Sequence, residues 1–150
     1  MKFIKIIIFI LMLNNLNFVS AEGKNFAVCL GINTLQLKYP LTKKIFLLGT
    51  LSYGNGILVL GIKGTKILKD YTKTNFYLGT ELNKLYFHTE GVTGSGFMIN
   101  VPLGCEYFIS KKFSLSNELS VVGSYIETKG IKVSQVNLNF MYNIFFNFYF

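Results

Sequence analysis

The sequence predicts an all-β protein, an eight-stranded antiparallel up-and-down β-barrel, on three observations. After Ala21 no apolar period of 3.6 residues appears, and apolar and polar residues alternate at every second position instead. Turn signals rich in Gly, Asn, Pro or Lys interrupt this alternation roughly every 10–20 residues. The chain also ends in a long aromatic strand, Ser134–Phe150, whose even positions after Ser134 are apolar and whose odd positions are mostly Asn or Gln. Such a strand has one apolar face and one amide face.

The first 21 residues carry the features of a secretory signal peptide. Lys2 and Lys5 give a basic start, and the apolar run Ile6–Leu13 is too short to span a bilayer as a helix. Val19-Ser20-Ala21 offers small or modest residues for cleavage. We therefore expect residues 1–21 to be removed and residues 22–150 to form a single β-barrel domain; a signal anchor is the alternative.

The number of strands depends on the first mature segment. Phe26–Gly31 and Leu35–Tyr39 can form a hairpin around Gly31-Ile32-Asn33, or residues 26–39 can form one strand with a bulge. The two interpretations give eight and seven strands respectively. Bacterial membrane barrels with both termini on the periplasmic side have an even number of strands, so we predict eight.

The remaining predicted strands lie between recognisable turns. The strands are Ile45–Tyr53, Ile57–Lys66, Asn75–Phe87, Phe97–Ile109, Phe113–Ile126 and Ser134–Phe150. The turns are Pro40–Lys44, Gly54–Gly56, Lys69–Thr74, His88–Gly96, Ser110–Lys112 and Thr128–Gly130. Of these, His88–Gly96 is predicted to be the longest Gly-rich loop, on the outer side of the barrel.

The charged residues within strands decide which face points inward. Lys38, Lys63, Glu81, Glu106 and Glu118 all fall on the polar face of their strands. A charge facing hydrocarbon costs roughly 2–4 kcal/mol at the bilayer midplane, so the polar face is predicted to be the lumen of a transmembrane β-barrel. An eight-stranded barrel leaves room only for side chains. We expect Glu–Lys pairs in this lumen polar network, completed by Asn, Gln, Ser and Tyr.

A water-soluble, lipocalin-like barrel is the alternative architecture. Its strands also alternate apolar and polar residues, but their apolar face points inward and their charged face points outward. Here the polar face is chiefly Asn, Ser, Gly and Tyr, with few charges. Tyr and Phe residues also concentrate near strand ends, as in the aromatic girdles of membrane proteins. Both features favour the membrane barrel.

The chain is basic, with a formal net charge of +8, and its basic residues are all Lys. They are scattered and collect in turns such as Lys43-Lys44 and Lys111-Lys112, rather than forming a stripe for nucleic acid. We interpret them as neighbours of an anionic membrane surface, or simply as solubilising turn residues.

One stretch carries a resemblance to a known group. Residues 101–115, Val-Pro-Leu-Gly-Cys-Glu-Tyr-Phe-Ile-Ser-Lys-Lys-Phe-Ser-Leu, resemble a hairpin of the small bacterial outer-membrane β-barrel families, which include OmpX-like, OmpW-like and opacity-like proteins. Leu35–Tyr39 with its following Lys turn is similar to their early strands. The terminal Phe148-Tyr149-Phe150 resembles the signal read by the barrel-assembly machinery, with Phe148 and Phe150 as the signal residues.

The resemblance implies location in the bacterial outer membrane, in contact with its lipid and lipopolysaccharide. It implies no particular activity, and the short predicted loops do not favour an adhesin. We therefore expect a monomer with a structural or surface-interaction role and a lumen filled by side chains. The alternative is a minor transporter of small hydrophobic molecules, as OmpW-like barrels suggest.

An enzyme is the third and least favoured possibility. His88, Glu90 and Ser95 lie near one rim, where a lipid-modifying barrel enzyme places such groups, but the His-x-Ser spacing of that enzyme group is missing. The Gly-rich residues 91–96 are not followed by the Lys-Ser/Thr pair of a phosphate-binding loop, so we do not expect a phosphate site there.

No cofactor or metal site is expected, because four suitably spaced ligands are absent. Strand parity places Cys29 inward and Cys105 outward, so we expect no disulfide.

Overall fold

The chain closes into an antiparallel barrel of eight strands, as the sequence predicts. The computed structural model describes residues 26–89, 91–128 and 131–150, with the main chain only at 131–136; the predicted signal peptide lies outside the described residues. Each strand pairs with the next, and β8 closes on β1. The strands are β1 (Ala27–Gly31), β2 (Thr34–Pro40), β3 (Ile45–Gly54), β4 (Ile57–Tyr71), β5 (Thr74–Thr89), β6 (Val92–Ser110), β7 (Phe113–Thr128) and β8 (Ile131–Tyr149).

The first segment is a hairpin rather than one bulged strand. Gly31 pairs with Thr34, which leaves Ile32 and Asn33 as a two-residue turn. Asn33 has a φ of 57°, a left-handed conformation that Asn tolerates better than most residues. The choice of eight strands over seven is thereby confirmed.

Two predicted turns are shorter than expected. Strand β4 continues to Tyr71, so the turn predicted at Lys69–Thr74 contains only Thr72 and Lys73. The predicted Gly-rich loop His88–Gly96 is wrong, because β5 runs to Thr89 and β6 begins at Val92.

The glycines of that segment belong to the sheet for a steric reason. A Cβ atom on Gly94 would lie 2.1 Å from Cζ of Phe87, and one on Gly96 would lie 2.3 Å from the carbonyl oxygen of Tyr125. These glycines therefore make room for neighbouring strands and do not mark a loop.

The strands are strongly staggered around the barrel. A circuit along paired residues that starts at Val28 returns to β8 at Leu138, whereas the β8 partner of Val28 is Phe148, ten positions further on. A stagger of this size tilts the strands by about 35–45° from the barrel axis. The wall is also uneven, since β1 and β2 have 5 and 7 residues and β6 and β8 have 19 each.

The two faces of the wall are chemically opposite. Inward side chains include Lys63, Asn100 and Ser114, all buried, whereas most outward side chains are large and apolar, with Phe140 77% exposed. Lys84 on β5 is an outward exception, and its ammonium lies 3.8 Å from the ring centre of Phe97. Among the described residues, no helix is long and apolar enough to cross a membrane. The two cysteines are free: Cys29 is buried in the lumen and Cys105 is partly exposed on the outer face.

The two ends of the barrel carry different segments of the chain. The terminal rim carries Phe26, Phe150 and the turns that follow β2, β4 and β6. The loop rim carries the turns that follow β1, β3 and β5.

Candidate functional site

The interior of the barrel contains the most unusual chemistry in the chain, three glutamates arranged at three levels. The structure places all five predicted lumen residues inside: Lys38, Lys63, Glu81, Glu106 and Glu118 are buried. They come from β2, β4, β5, β6 and β7. Burying so many charges is unfavourable unless each is paired and hydrogen-bonded, so the partners of each glutamate decide what the site is.

Glu106 is at the level nearest the terminal rim and has four side-chain donors. The Lys38 ammonium lies 2.8 Å from Oε2. The Oε1 atom of Glu106 accepts hydrogen bonds from the hydroxyls of Ser114 and Tyr149, and from Nδ2 of Asn147 at 2.9 Å. Lys38 also donates to the Tyr149 hydroxyl at 2.7 Å. This carboxylate is therefore well compensated by charge-assisted hydrogen bonds.

Glu118 occupies the middle level. Its Oε1 accepts from the Lys63 ammonium at 2.7 Å and from the Tyr77 hydroxyl at 2.9 Å. The Tyr77 ring fits because Gly104 has no side chain: a Cβ there would lie 2.2 Å from Cζ of Tyr77. Lys63 itself is 0% exposed, and its ammonium also lies 5.1 Å from the ring centre of Phe145. A second ion pair is thus completely enclosed.

Glu81, at the level nearest the loop rim, has neutral partners. Its carboxylate accepts from the Thr50 hydroxyl at 2.7 Å and from Nδ2 of Asn100 at 2.8 Å. Gln36 in turn donates to Thr50 at 3.3 Å. Among the described residues, no lysine ammonium lies within ion-pair distance of Glu81. The expected Glu–Lys pairing therefore occurs at two levels and is absent at the third.

The levels differ in the space that they enclose. Between the Glu106 and Glu118 levels the cavity measures only about 20 Å³, which is room for about one water molecule. Next to Glu81 a second cavity measures about 100 Å³. Side chains thus close the lumen toward the terminal rim and leave a small chamber toward the loop rim.

For several members of the lumen polar network, the sequence predicts the residue type but not the partner. Parity placed Tyr77, Asn100 and Asn147 on the inward face, but it did not indicate which carboxylate each would contact. That choice depends on the depth of each residue along a tilted strand, which is set by the stagger of the whole barrel. The alternation of a single strand contains no signal for it.

The rim residues considered for enzymatic chemistry have a different arrangement. Nδ1 of His88 lies 2.8 Å from Oγ1 of Thr93, its partner across the β5–β6 ladder. His88 and Ser95 both line a groove of about 700 Å³ at the loop rim, together with Glu127. Glu90 lies outside the described residues.

The predicted assembly-signal residues lie where the barrel closes. The Phe148 ring packs against Phe113 on β7, with ring centres 5.2 Å apart. The main-chain N–H of Phe150 donates to the carbonyl oxygen of Phe26 at 2.9 Å, and the two rings lie 6.5 Å apart. Both phenylalanines are exposed on the outer face at the terminal rim.

No protein-family model matches the chain, and no curated protein matches it. Among the described residues, no group of three or more His, Cys, Asp or Glu side chains is placed to hold a metal ion. The functional interpretation therefore depends on the barrel, its two faces and its lumen.

Proposed function

We propose that this chain is a small outer-membrane β-barrel protein with a structural or surface-interaction role and a lumen filled by side chains. The observation that carries the proposal is the reversed distribution of polarity: ion pairs and amides fill the interior, and large apolar residues cover the outside. A soluble barrel has the opposite arrangement. The eight-stranded antiparallel barrel fits this class of protein.

The outer face supports the proposal through its energetics. Large apolar side chains are exposed on each of the long strands β5 to β8: Leu82, Phe97, Leu103, Leu119 and Phe140. Removing one such side chain from water is worth about 1.5–3 kcal/mol, and a contiguous apolar band in water would drive aggregation. A lipid bilayer covers such a band around a barrel.

The distribution of lysines supports contact with lipid headgroups. Lys43, Lys44, Lys73, Lys111 and Lys112 all lie in turns at the terminal rim. A cluster of ammonium groups at one end of a membrane barrel is suited to an anionic membrane surface. In the proposed orientation this rim is periplasmic, the signal peptide directs export, and the barrel-assembly machinery inserts the chain as a monomer.

The closed lumen favours a structural or surface role over that of a diffusion channel. The space of about 20 Å³ beside Glu106 and Glu118 is too small for a hydrated solute. Widening it would separate two buried ion pairs, which costs several kcal/mol for each pair. No catalytic role is proposed, because His88 contacts Thr93 and the chain lacks the His-x-Ser spacing considered above.

One observation favours the alternative, transport of small hydrophobic molecules. A depression of about 1150 Å³ lies on the outer face of β2–β6, lined by several Leu and Ile side chains, by Gly49 and Gly64, and by one charged residue, Lys84. It also reaches the inward residues Thr50 and Asn83. An apolar molecule moving within the bilayer would enter such a depression from the side.

Two measurements test the proposal. The protein should be found in the outer-membrane fraction and should migrate differently on SDS gels before and after boiling, because folded barrels resist SDS. In planar bilayers it should give no stable steps of porin size. Recovery in the soluble fraction would reject the membrane barrel, and porin-sized steps would reject the filled lumen.

A further inference from the structure

The depression on the outer face of β2–β6 and the groove at the loop rim are two parts of one surface. On four neighbouring strands, a residue that lines the depression and a residue that lines the groove lie two positions apart and point to the same side. The pairs are Leu51 and Tyr53 on β3, Leu60 and Leu58 on β4, Lys84 and Tyr86 on β5, and Phe97 and Ser95 on β6. Strand pairing aligns the first members in one row and the second members in the next row toward the loop rim. The depression therefore continues directly into the groove.

Two glycines form the floor of the depression. Gly49 and Gly64 lie on the outer face, and a Cβ atom on either would meet nothing within 4 Å. Ile62 pairs with Gly49 on one side and with Leu82 on the other, and its side chain is 62% exposed. A hydrocarbon chain in this depression would contact side chains on several sides, and it would gain more dispersion contacts there than on a flat wall.

Lys84 is the charged residue of the depression. Its ammonium lies 3.8 Å from the ring centre of Phe97 and 5.7 Å from that of Tyr86. Among the described residues, no carboxylate lies within ion-pair distance of it. Aromatic rings attract a cation without neutralising it, and an ammonium on a lipid-facing wall is unfavourable unless it reaches an anion or the headgroups. The position of Lys84 therefore favours an anionic partner at the loop-rim end of the depression.

The groove at the loop rim supplies polar groups beyond the depression. It measures about 700 Å³, within the range of about 300–1,000 Å³ that small-molecule sites occupy. Its lining includes Tyr53, Tyr86, His88, Ser95 and Glu127. Hydroxyl, imidazole and carboxylate groups can form hydrogen bonds with sugar hydroxyls, and tyrosine rings offer an apolar face beside a polar tip. The groove thus has room and chemistry for a headgroup larger than a phosphate.

We propose that this surface binds one phosphorylated glycolipid of the leaflet at the loop rim. Its acyl chains lie over Gly49 and Gly64, its phosphate contacts the Lys84 ammonium, and its sugar occupies the groove. The three chemistries follow one another along the strands in the same order as in such a lipid. The inference rests on the proposed membrane role, and it assigns the depression to a bound lipid rather than to a transported molecule.

Lipid binding by the purified barrel tests the proposal. The full chain, refolded in a non-ionic detergent, is titrated with bis-phosphorylated lipid A, dephosphorylated lipid A or phosphatidylglycerol, and bound lipid is counted by native mass spectrometry. We expect one lipid A per chain with saturation. Binding should be about tenfold weaker for the lipid without phosphates and for phosphatidylglycerol, which has no sugar. Equal binding of either lipid and of bis-phosphorylated lipid A would overturn the proposal.

Variants connect the binding to the surface. Lys84→Gln should weaken lipid A binding about tenfold, and Lys66→Gln, an exposed lysine of β4 outside the depression, should leave it unchanged. Gly49→Leu should fill the depression and weaken binding. Gly123→Leu on β7 is its matched control, since a Cβ there also meets nothing within 4 Å. Equal effects within either pair of variants would overturn the proposal.

Failure of the lipid site differs from failure of the membrane role. A chain that is heat-modifiable and found in the outer-membrane fraction, but that binds the three lipids equally or not at all, would overturn the site alone. Recovery of the chain in the soluble fraction would reject the membrane role and the lipid site with it.

Discussion

Lys63 and Glu81 are paired across the β4–β5 ladder, yet the Lys63 ammonium bonds Glu118 on β7, 2.7 Å away. Inward side chains in a narrow barrel converge on the axis, so a partner on the far wall is as close as a neighbour on the same wall. Lys38 and Glu106 likewise join β2 to β6. Both ion pairs connect strands that share no backbone hydrogen bonds, and they brace the barrel across its lumen.

Removing one partner of the enclosed pair should strongly destabilise the barrel. Lys63→Met leaves Glu118 buried without its cation, and the expected loss in the free energy of unfolding is about 3–5 kcal/mol. Denaturant unfolding in micelles, followed by circular dichroism, measures it. Lys112→Met, at an exposed turn, is the control and should change little.

The double variant Lys63→Met/Glu118→Leu tests whether the loss in Lys63→Met comes from leaving the Glu118 carboxylate unpaired. Because it removes both charges together, it should recover much of the stability that Lys63→Met loses. A loss below about 0.5 kcal/mol in Glu118→Leu alone would contradict a buried pair with this role.

Gly104 should tolerate no side chain, although glycine is replaceable elsewhere in the same wall. In Gly104→Ala the new methyl group would collide with the Tyr77 ring, and the ring would have to move away from Glu118. We expect a loss of about 1–3 kcal/mol. Gly49→Ala is the matched control, since a Cβ there meets nothing within 4 Å. Equal unfolding midpoints for the two variants would show that Tyr77 is not held in place by this contact.

Strand parity alone predicts which residues point inward. Glu81, Glu106 and Glu118 lie inside the barrel, as the alternation predicts. The prediction is sharp because a shift of one residue would move every side chain of a strand to the opposite face. The choice of partner was not predictable, since Lys63 lies opposite Glu81 on the ladder and still pairs with Glu118. Depth in a staggered barrel decides this choice, and depth depends on all eight strands together.

The incorrect prediction of a loop at His88–Gly96 has a different origin. The sequence predicts Gly94 and Gly96 as loop residues because glycine commonly interrupts strands. In the barrel they accommodate Phe87 and the main chain of Tyr125. A local glycine signal cannot distinguish a turn from a close approach between strands, because the neighbouring strand is distant in sequence.

A lysine introduced in the middle of a strand, on the outer face, tests whether that face contacts lipid or water. Leu82 is 59% exposed on β5, and Leu82→Lys should lower stability in lipid vesicles by about 2–4 kcal/mol. Ile32→Lys, in the exposed β1–β2 turn at the loop rim, should cost only about 0–1 kcal/mol, because the ammonium lies at the headgroups or in water. Equal and negligible effects for the two lysines would argue that Leu82 faces water.

The last residue should matter more for assembly than for stability. Phe150 is 56% exposed, and its hydrogen bond to Phe26 uses the main chain, which Phe150→Ala retains. We therefore expect Phe150→Ala to refold in micelles with an unfolding free energy within about 1–2 kcal/mol of the native chain. In cells, the heat-modifiable fraction in the outer membrane should fall severalfold, since the side chain is proposed to be read during insertion. Phe146→Ala, on the same face of β8, is the control and should assemble nearly normally. If both variants assemble equally well in cells, the terminal phenylalanine is only a lipid-facing residue and not an assembly signal.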